Sequence, residues 1–591
     1  PLTARPGAGP PAGPALPVHL PAERGPHVTT TDTWHSHHLF LHCGTEDTDA
    51  FLTRWLAPRL DGLVASGQAS RWFFIRYGED GPHLRVRVRG LSPEAAAELP
   101  GALARAAAEH PAVAGGSWPS RHGEVRAVEY VPETGRYGGP RALPTAEEVF
   151  TVSSRVAVEA LRTLPAGSGG AARLAIAADL AHATAYALGM DRLAAARWLR
   201  RHASGWRWVT EVALLPGAAV HTRVHTVYAS QRTALRQRAR RLREALRGGG
   251  GEPWLSEWVR CVREADGRLR AGAGAEASGA VPPWVWASQL HMLFNRLGVA
   301  PDEERAVCLL AARTLLDTDD APSFFPEGHR AADVQYLERS RFRIGLGEDS
   351  PLRPLPPSAL PAGVAAAPAP PEVPLPAGPL PEVPLGAALR GRTSLRGALR
   401  GPLDAGGLGT LLWNALAHSG TSEQRLADGT VRTLDHRPYP SAGALYTARV
   451  RLLALDVAGV PAATYDCVPE RRTLRPVGPV PSPADVTSLS AYFSRPPHDP
   501  DRIGVDEAPV LLGVYVDLGL LRRRYGLRAL RLALLEAGHL TQTLLLAAGA
   551  LGLGGTPLGG FHDDLAQELF GLDDLDHPLQ YLLPLGRRPA D

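Results

Sequence analysis

The chain has 591 residues, a formal net charge of +3 and no lysine, so all 63 of its Lys+Arg positions are arginine. Without lysine there is no Schiff-base lysine for pyridoxal phosphate, no Walker A phosphate loop and no kinase strand lysine. So small a net charge gives no whole-chain field for nucleic acid or an anionic membrane.

Four cysteines, Cys43, Cys261, Cys308 and Cys467, are widely spaced with no CxxC pair. This reads as reduced thiols in a cytoplasmic protein, not a disulfide or zinc framework. No apolar run reaches membrane-spanning length and no signal-peptide pattern opens the chain, so a soluble protein with no membrane contact is expected. The length allows several domains.

In chain order, residues 1–28 are rich in Pro, Gly and Ala and are expected to form a flexible arm. Residues 29–345 form a first unit. It opens with a strand-like WHSHHLFLHC and an amphipathic helix (DTDAFLTRWLAPRLDGLVASG). WFFIRY and HLRVRVRG follow, joined by GEDGP in a hairpin-like connection. Strict alternation in HLRVRVRG puts Arg85, Arg87 and Arg89 on one face and Leu84, Val86 and Val88 on the other. A helix (PEAAAELPGALARAAAEH) and a strand (EVRAVEYVPE) come next, and the pattern is helical from about 145 to 320. Residues 346–386 form a proline-rich linker, with 13 prolines in the 34 residues Pro351–Pro384, suited to an extended spacer. Residues 387–591 form a second unit, with strands ARVRLLALDV and PVLLGVYVDLG and a long helix, ALRLALLEAGHLTQTLLLAAGALGL. Both units read as α+β, the first as a mixed sheet with a helical layer.

In the first unit Arg85 and Arg87 lie about 6.6 Å apart along one strand face, where they repel unless an anion lies between them. Glu133-Thr-Gly-Arg136-Tyr-Gly-Gly presents a carboxylate and an arginine on a turn. His291 and Asn295 share a helix face at i, i+4 in SQLHMLFNRLG. Each segment alone also fits a solvated face, a turn or a packed helix. Together, WFFIRYGEDGPHLRVRVRG, VPETGRYGG and LHMLFNRLG resemble the glutamate-elimination domain of class I lanthipeptide dehydratases, which also stands alone in thiopeptide biosynthesis. The resemblance implies removal of glutamate from a glutamylated serine or threonine, leaving dehydroalanine or dehydrobutyrine. It carries catalytic roles to Arg85, Arg87, Glu133, Arg136 and His291. The residue types suit that chemistry: arginines hold carboxylates, and Glu133 and His291 can move protons. Which of those two is the base stays open. Pyridine synthases of thiopeptide pathways share the fold, and are a rival reading.

His35, His37, His38, His42 and Cys43 invite a metal, but alternate between strand faces with no carboxylate at ligand spacing, so no metal site is expected. The basic helix RTALRQRARRLREALR reads as a solvated face and not a nucleic-acid surface.

In the second unit RTSLR (Arg392–Arg396) is an anion-cradle pattern, and RPYPSAGALY (Arg437–Tyr446) is small-residue backbone suited to a flat ligand. GLGGTPLGGF (Gly552–Phe561) follows a helix, so it lacks the context of a dinucleotide fingerprint. With RRRYG and LGRR these segments resemble the SagB-type branch of FMN-dependent nitroreductase-like dehydrogenases. The resemblance implies a nitroreductase-like FMN fold, normally a homodimer, that oxidises peptide thiazolines or oxazolines to thiazoles or oxazoles. It implies FMN contacts for Arg392, Ser394, Arg396, Ser441, Gly443, Leu445, Gly559, Gly560 and Arg587. That family commonly has a Lys-Tyr pair where this chain has Arg524-Tyr525. Arginine is always protonated, so Tyr525 is the candidate base, with Arg524 stabilising its phenolate.

The combination resembles the elimination/dehydrogenase fusions of lactazole-like thiopeptide clusters. It implies a ribosomal precursor peptide as substrate, and a tRNA-dependent glutamylation enzyme and a cyclodehydratase as partners. The alternatives are a pyridine synthase fused to a dehydrogenase, and a dehydrogenase with a non-catalytic, peptide-recruiting N-terminal module.

Overall fold

The computed structural model describes residues 33–113, 117–165, 169–209, 212–272, 281–317, 336–337, 340, 371–425, 429–572 and 575–587. The expected arm (1–28), and residues 346–370 of the expected linker, lie outside them. Packing divides the chain into two compact units. One is built on Leu16–Trp206 and Arg223–Thr318, the other on Asp319–Asp591 with Arg207–Thr222.

The first unit holds a four-stranded antiparallel sheet of β1 (Trp34–Phe40), β2 (Arg71–Tyr77), β3 (His83–Arg89) and β4 (Val125–Ala127), in the order β2-β3-β1-β4. The alternation in β3 does what the sequence dictates: Leu84, Val86 and Val88 are buried while Arg85, Arg87 and Arg89 keep partial exposure. β4 is shorter than the expected strand over EVRAVEYVPE. Beyond it Tyr130 packs edge-on against Trp34 and Phe73, and Pro132 has no N–H to offer a ladder.

The sequence between β1 and β2 folds as α1 (Thr45–Phe51), a π-turn and α2 (Ala57–Ala65); α3 (Pro93–Ala108) follows β3. The helical layer is α4 (Leu143–Arg162), α5 (Gly169–Ala187), α6 (Arg192–Gly205), α7 (Gly217–Arg247), α8 (Pro253–Gly272), α9 (Pro283–Leu297) and α10 (Pro301–Leu316). α9 begins at a proline, whose missing N–H costs nothing there, and ends at Gly298 with φ 75°. α4 and α9 pack against β2 and each other, and α10 packs against α6.

The second unit carries a seven-stranded antiparallel sheet. Its strands are β5 (Val373–Pro374), β9 (Ala448–Ala454), β10 (Ala463–Val468), β11 (Thr473–Pro479), β13 (Val510–Val516), β14 (Gly554–Gly555) and β15 (Leu579–Gly586). Their order is β14-β15-β13-β9-β10-β11-β5. Two small pairs, β6 (Gly397–Ala398) with β12 (Ile503–Gly504) and β7 (Gly420–Arg425) with β8 (Val431–His436), stand apart. Every residue of β13 is buried, Val510, Leu512, Val514 and Val516 in one core and Leu511 and Tyr515 in another. Helices α11 (Leu385–Gly391), α12 (Ala405–Leu416), α13 (Pro483–Ser488), α14 (Leu518–Tyr525), α15 (Ala529–Ala550) and α16 (Asp563–Leu569) complete the unit. Residues 371–386, linker by composition, supply the edge strand β5, where proline is tolerated, and the buried Leu375, whose carbonyl accepts from Trp413 Nε1 at 3.2 Å.

Candidate active sites

In the first unit three arginines gather around an aromatic box. Arg87 stands over Tyr130 (4.4 Å to the ring centre) and Phe73 (5.4 Å), and Arg296 over Phe150 (5.4 Å). Arg136, on the turn Thr134–Tyr137, pairs with Glu133 at 2.9 Å. All three bear electrostatically on the buried Tyr137, whose pKa burial pushes up. Nε of Arg87, Nε of Arg136 and both Nη of Arg296 are buried without a hydrogen-bond partner. Cation–π contact returns up to about 2 kcal/mol when desolvated, whereas an uncompensated buried charge costs several kcal/mol. Among the described residues the aromatic box therefore leaves Arg87 and Arg296 short of a charged partner, which an anion would supply, while Arg136 keeps Glu133. The strain is strongest at Arg296, pulled down to about 9 by burial and by Arg87 beside it.

Arg85 sits elsewhere on the same strand face: it pairs with Glu79 at 3.3 Å, lies 3.4 Å from the Tyr77 ring centre and donates from Nε to His83. Arg89 is engaged by Glu147 at 3.6 Å.

His291 lies in a buried triad. Its Nδ1 is 2.9 Å from Glu304 Oε2, while Glu304 Oε1 receives His202 Nε2 at 2.5 Å and Trp206 Nε1 at 3.3 Å. Burial by itself would raise the Glu304 pKa, but His291 and His202 hold it well below the usual carboxylate range. Asn295, expected on the same face as His291, instead ties α9 to β2: Oδ1 accepts from Arg76 N at 2.9 Å and Nδ2 donates to Arg76 O at 2.8 Å. The histidines of β1 pack as part of the sheet. His38 stacks on His83 at 4.9 Å and is pulled down to about 4 by burial and by Arg85.

In the second unit the loop before β9 is a strained backbone pinned by one acid. Gly443, Ala444 and Tyr446 have φ of 63°, 53° and 47°. Ser441 Oγ donates to Glu536 Oε2 at 2.8 Å and accepts from Tyr446 N at 2.8 Å; Thr447 Oγ1 and Ala448 N donate to the same carboxylate at 3.2 and 2.7 Å. Glu536 is 2% exposed. A Cβ on Gly443 would lie 2.6 Å from Tyr525 Oη, so the candidate base sits directly over this loop. Arg524 and Tyr525 end α14. Leu445 and Tyr446 line a cavity of about 350 Å³ with Arg437, Arg449, Arg471 and Arg475.

Several of the remaining candidates lie at the sheet edge. Ser394 bridges to Gly555, Arg396 Nη1 touches Thr556 Oγ1 and Leu395 O at 3.4 Å, and Arg587 exchanges backbone hydrogen bonds with Arg400. Among the described residues Arg392, Arg396 and Arg587 have no carboxylate partner. The position of a Cβ on Gly559 is open, and the Gly560 carbonyl accepts from Ser490 Oγ at 2.6 Å.

Residues 34–315 match the family model for the C-terminal domain of lantibiotic biosynthesis dehydratases, and residues 389–587 match the nitroreductase family. MJ1384 of Methanocaldococcus jannaschii, named as a nitroreductase, is 30% identical over 151 residues, 25% of this chain and 69% of its own. The chain joins a lantibiotic dehydratase C-terminal domain to a nitroreductase domain. The nitroreductase domain is also similar to the microcin B17-processing protein McbC of Escherichia coli, 32% identical over 24% of this chain. That match spans half of McbC's own length. Among solved structures, the pyridine synthase TbtD from thiomuracin biosynthesis is similar over 48% of this chain and 97% of its own, at 23% identity and a TM-score of 0.39.

Within the dehydratase-type domain, the fold brings Arg87, Glu133 and Arg136 together with Arg296, and couples Arg136 to Glu304 beside His291. Sequence reasoning missed Arg296, Glu304 and His202. Arg296 was adjacent to the noted Asn295, and Glu304 opens a helix 13 residues past His291. In the nitroreductase domain it missed Glu536, a lone carboxylate in an otherwise apolar helix, which was the available signal. No helix among the described residues is long and apolar enough to cross a membrane, and all four cysteines are free.

Proposed function

We propose that the dehydratase-type domain eliminates glutamate from glutamylated serine or threonine of a precursor peptide, and that the nitroreductase domain oxidises peptide azolines with FMN. The observation that carries the first half is the set of buried, unpartnered guanidinium nitrogens on Arg87, Arg136 and Arg296 next to an imidazole held by a carboxylate. Elimination needs both parts: cations for the glutamyl carboxylate and the developing enolate, and a proton acceptor. The alternative, a pyridine synthase, has no corresponding need for a carboxylate-binding cluster.

FMN fits the donor set of the second domain. Among the described residues Arg392, Arg396 and Arg587 lack carboxylate partners, as a phosphate site requires, and Gly559 leaves its side open. Bound there, FMN would accept the hydride lost from an azoline ring. In this reading Tyr525, whose hydroxyl lies over Gly443, takes the accompanying proton, and Ser441, Gly443 and Leu445 shape the floor. Glu536 keeps that loop in place.

The Ser441 loop is held from Glu536, while β14 follows the end of α15, and Glu536 to Ala550 alone spans about 21 Å of helix rise. A homodimer in which one copy's loop meets the other's arginines suits that separation. Leu385, Leu389, Leu527, Leu534 and Leu535 are exposed at 70, 54, 60, 49 and 61% and offer an apolar face for it. The glutamylated peptide implies a tRNA-dependent glutamylation enzyme upstream, and the azoline implies a cyclodehydratase.

Purified protein incubated with a glutamylated peptide should release free glutamate and leave dehydroalanine by mass spectrometry. Macrocycle formation with leader release in place of glutamate loss would replace this reading with the pyridine synthase. The purified protein should be yellow with flavin absorbance; a colourless protein that does not take up FMN contradicts the second half.

A further inference from the structure

His291 is a lone imidazole by sequence, but Glu304 gives it a defined proton state. An ionised carboxylate only accepts hydrogen bonds. Glu304 is 1% exposed and lies within hydrogen-bond reach of three ring nitrogens, so the nitrogen of His291 facing it, Nδ1, is the one that donates, and in the neutral ring Nε2 is the acceptor. Exposure differs along the triad: the side chain of His202 is 7% exposed and that of His291 20%, so His291 is the more open end. The Trp206 ring stands edge-on to His291 at 5.1 Å and limits its rotation. The groups facing Glu304 are His291, His202, Trp206, Arg136 and, on its own helix, Cys308. Arg136 adds positive charge that favours the ionised form of Glu304 while it holds His291.

We propose that Glu304 is a positioning residue that fixes His291 as the proton acceptor of the elimination, through Nε2, with His202 bracing the same carboxylate from the other side. The proposal rests on the glutamate-elimination reading. In the step, His291 Nε2 takes the α-proton of the glutamylated residue and the Cα–H pair passes into an enolate with the residue's own carbonyl. That pair then forms the Cα–Cβ double bond as the Cβ–O bond breaks, with the Cβ–O pair leaving on the glutamyl carboxylate. The products are the dehydro residue, glutamate and a protonated His291, whose charge Glu304 balances.

The test uses the intact protein and a glutamylated peptide. Glu304→Gln keeps the shape and removes the charge. The rate of glutamate release should fall on the order of 10²-fold with little change in KM, because the arginines that hold the substrate are untouched. A Glu304→Gln rate matching wild type overturns this proposal alone; no glutamate release by wild type overturns the functional reading with it. Should Glu304→Gln fail to fold, ring-nitrogen NMR of the wild-type protein decides: His291 protonated on Nδ1 when neutral supports the proposal, and on Nε2 contradicts it.

Discussion

The two domains solve opposite problems with the same side chain. In the dehydratase-type domain Arg87 and Arg296 are drawn into an aromatic box with Arg136 near them, and among the described residues nitrogens of each are buried without a hydrogen-bond partner. In the nitroreductase domain Arg396 and Arg587 are exposed at a sheet edge, and strain is stored instead in the Gly443–Tyr446 backbone. A desolvated cation is worth far more to a bound anion than a hydrated one. The first arrangement suits stabilising charge that develops during a reaction, and the second suits retaining a resident phosphate while the backbone shapes a flat surface.

The largest expected effect is at the buried set. Arg87→Ala should lower glutamate release by about 10³-fold, the loss seen when a preorganised charge-stabilising donor is removed, with azoline oxidation unchanged when both are followed on one peptide. Equal loss of both activities would mean that the variant damages the chain as a whole. Next, Tyr525→Phe should lower azoline oxidation by about 10²-fold while flavin absorbance stays, since the phenol touches Gly443 and not the arginines.

Smaller effects test what holds each site. Glu536→Ala leaves Ser441, Thr447 and the Ala448 N–H short of an acceptor and should cost about 2 kcal/mol, read by denaturant unfolding of the nitroreductase transition. Smallest is Arg396→Gln, expected to weaken FMN retention by under tenfold, with the difference shrinking as salt rises because the group is exposed. A salt-independent loss would place Arg396 in a buried contact and erase the contrast drawn between the domains.

Acid should separate the domains too. Glu304 has a depressed folded-state pKa, so its contribution to stability is present above the unfolded value, about 4.3, and is lost as pH falls through the lower folded value. Wild type should therefore lose stability of the first domain steeply below about pH 4, and Glu304→Gln less steeply, as followed by thermal unfolding.

Much of this was legible in the sequence where a local period or motif carries it. The alternation of HLRVRVRG fixed which residues of β3 face the core, because strand side chains alternate regardless of their partners. The turn holding Arg136 and the strained SAGALY loop were visible for similar reasons, since glycine-rich turns are local. Long-range pairs were not visible. Glu304 meets His202 across 102 residues, and Glu536 meets Ser441 across 95, and no spacing rule links positions on separate helices and loops. Arg296 was hidden differently: five positions past His291, it turns to the opposite side of α9, under Phe73 and Phe150. The strand expected over EVRAVEYVPE was overcalled because alternation continues past the point where Tyr130 leaves the sheet to pack.

The most direct measurement follows one peptide, bearing both a glutamylated serine and a thiazoline, by mass spectrometry with the wild-type protein, Arg87→Ala and Tyr525→Phe. Two separate active centres predict that wild type removes glutamate and two hydrogens, that Arg87→Ala removes only the hydrogens, and that Tyr525→Phe removes only glutamate. Wild type that leaves the glutamyl group in place, or variants that lose both changes together, would contradict the account.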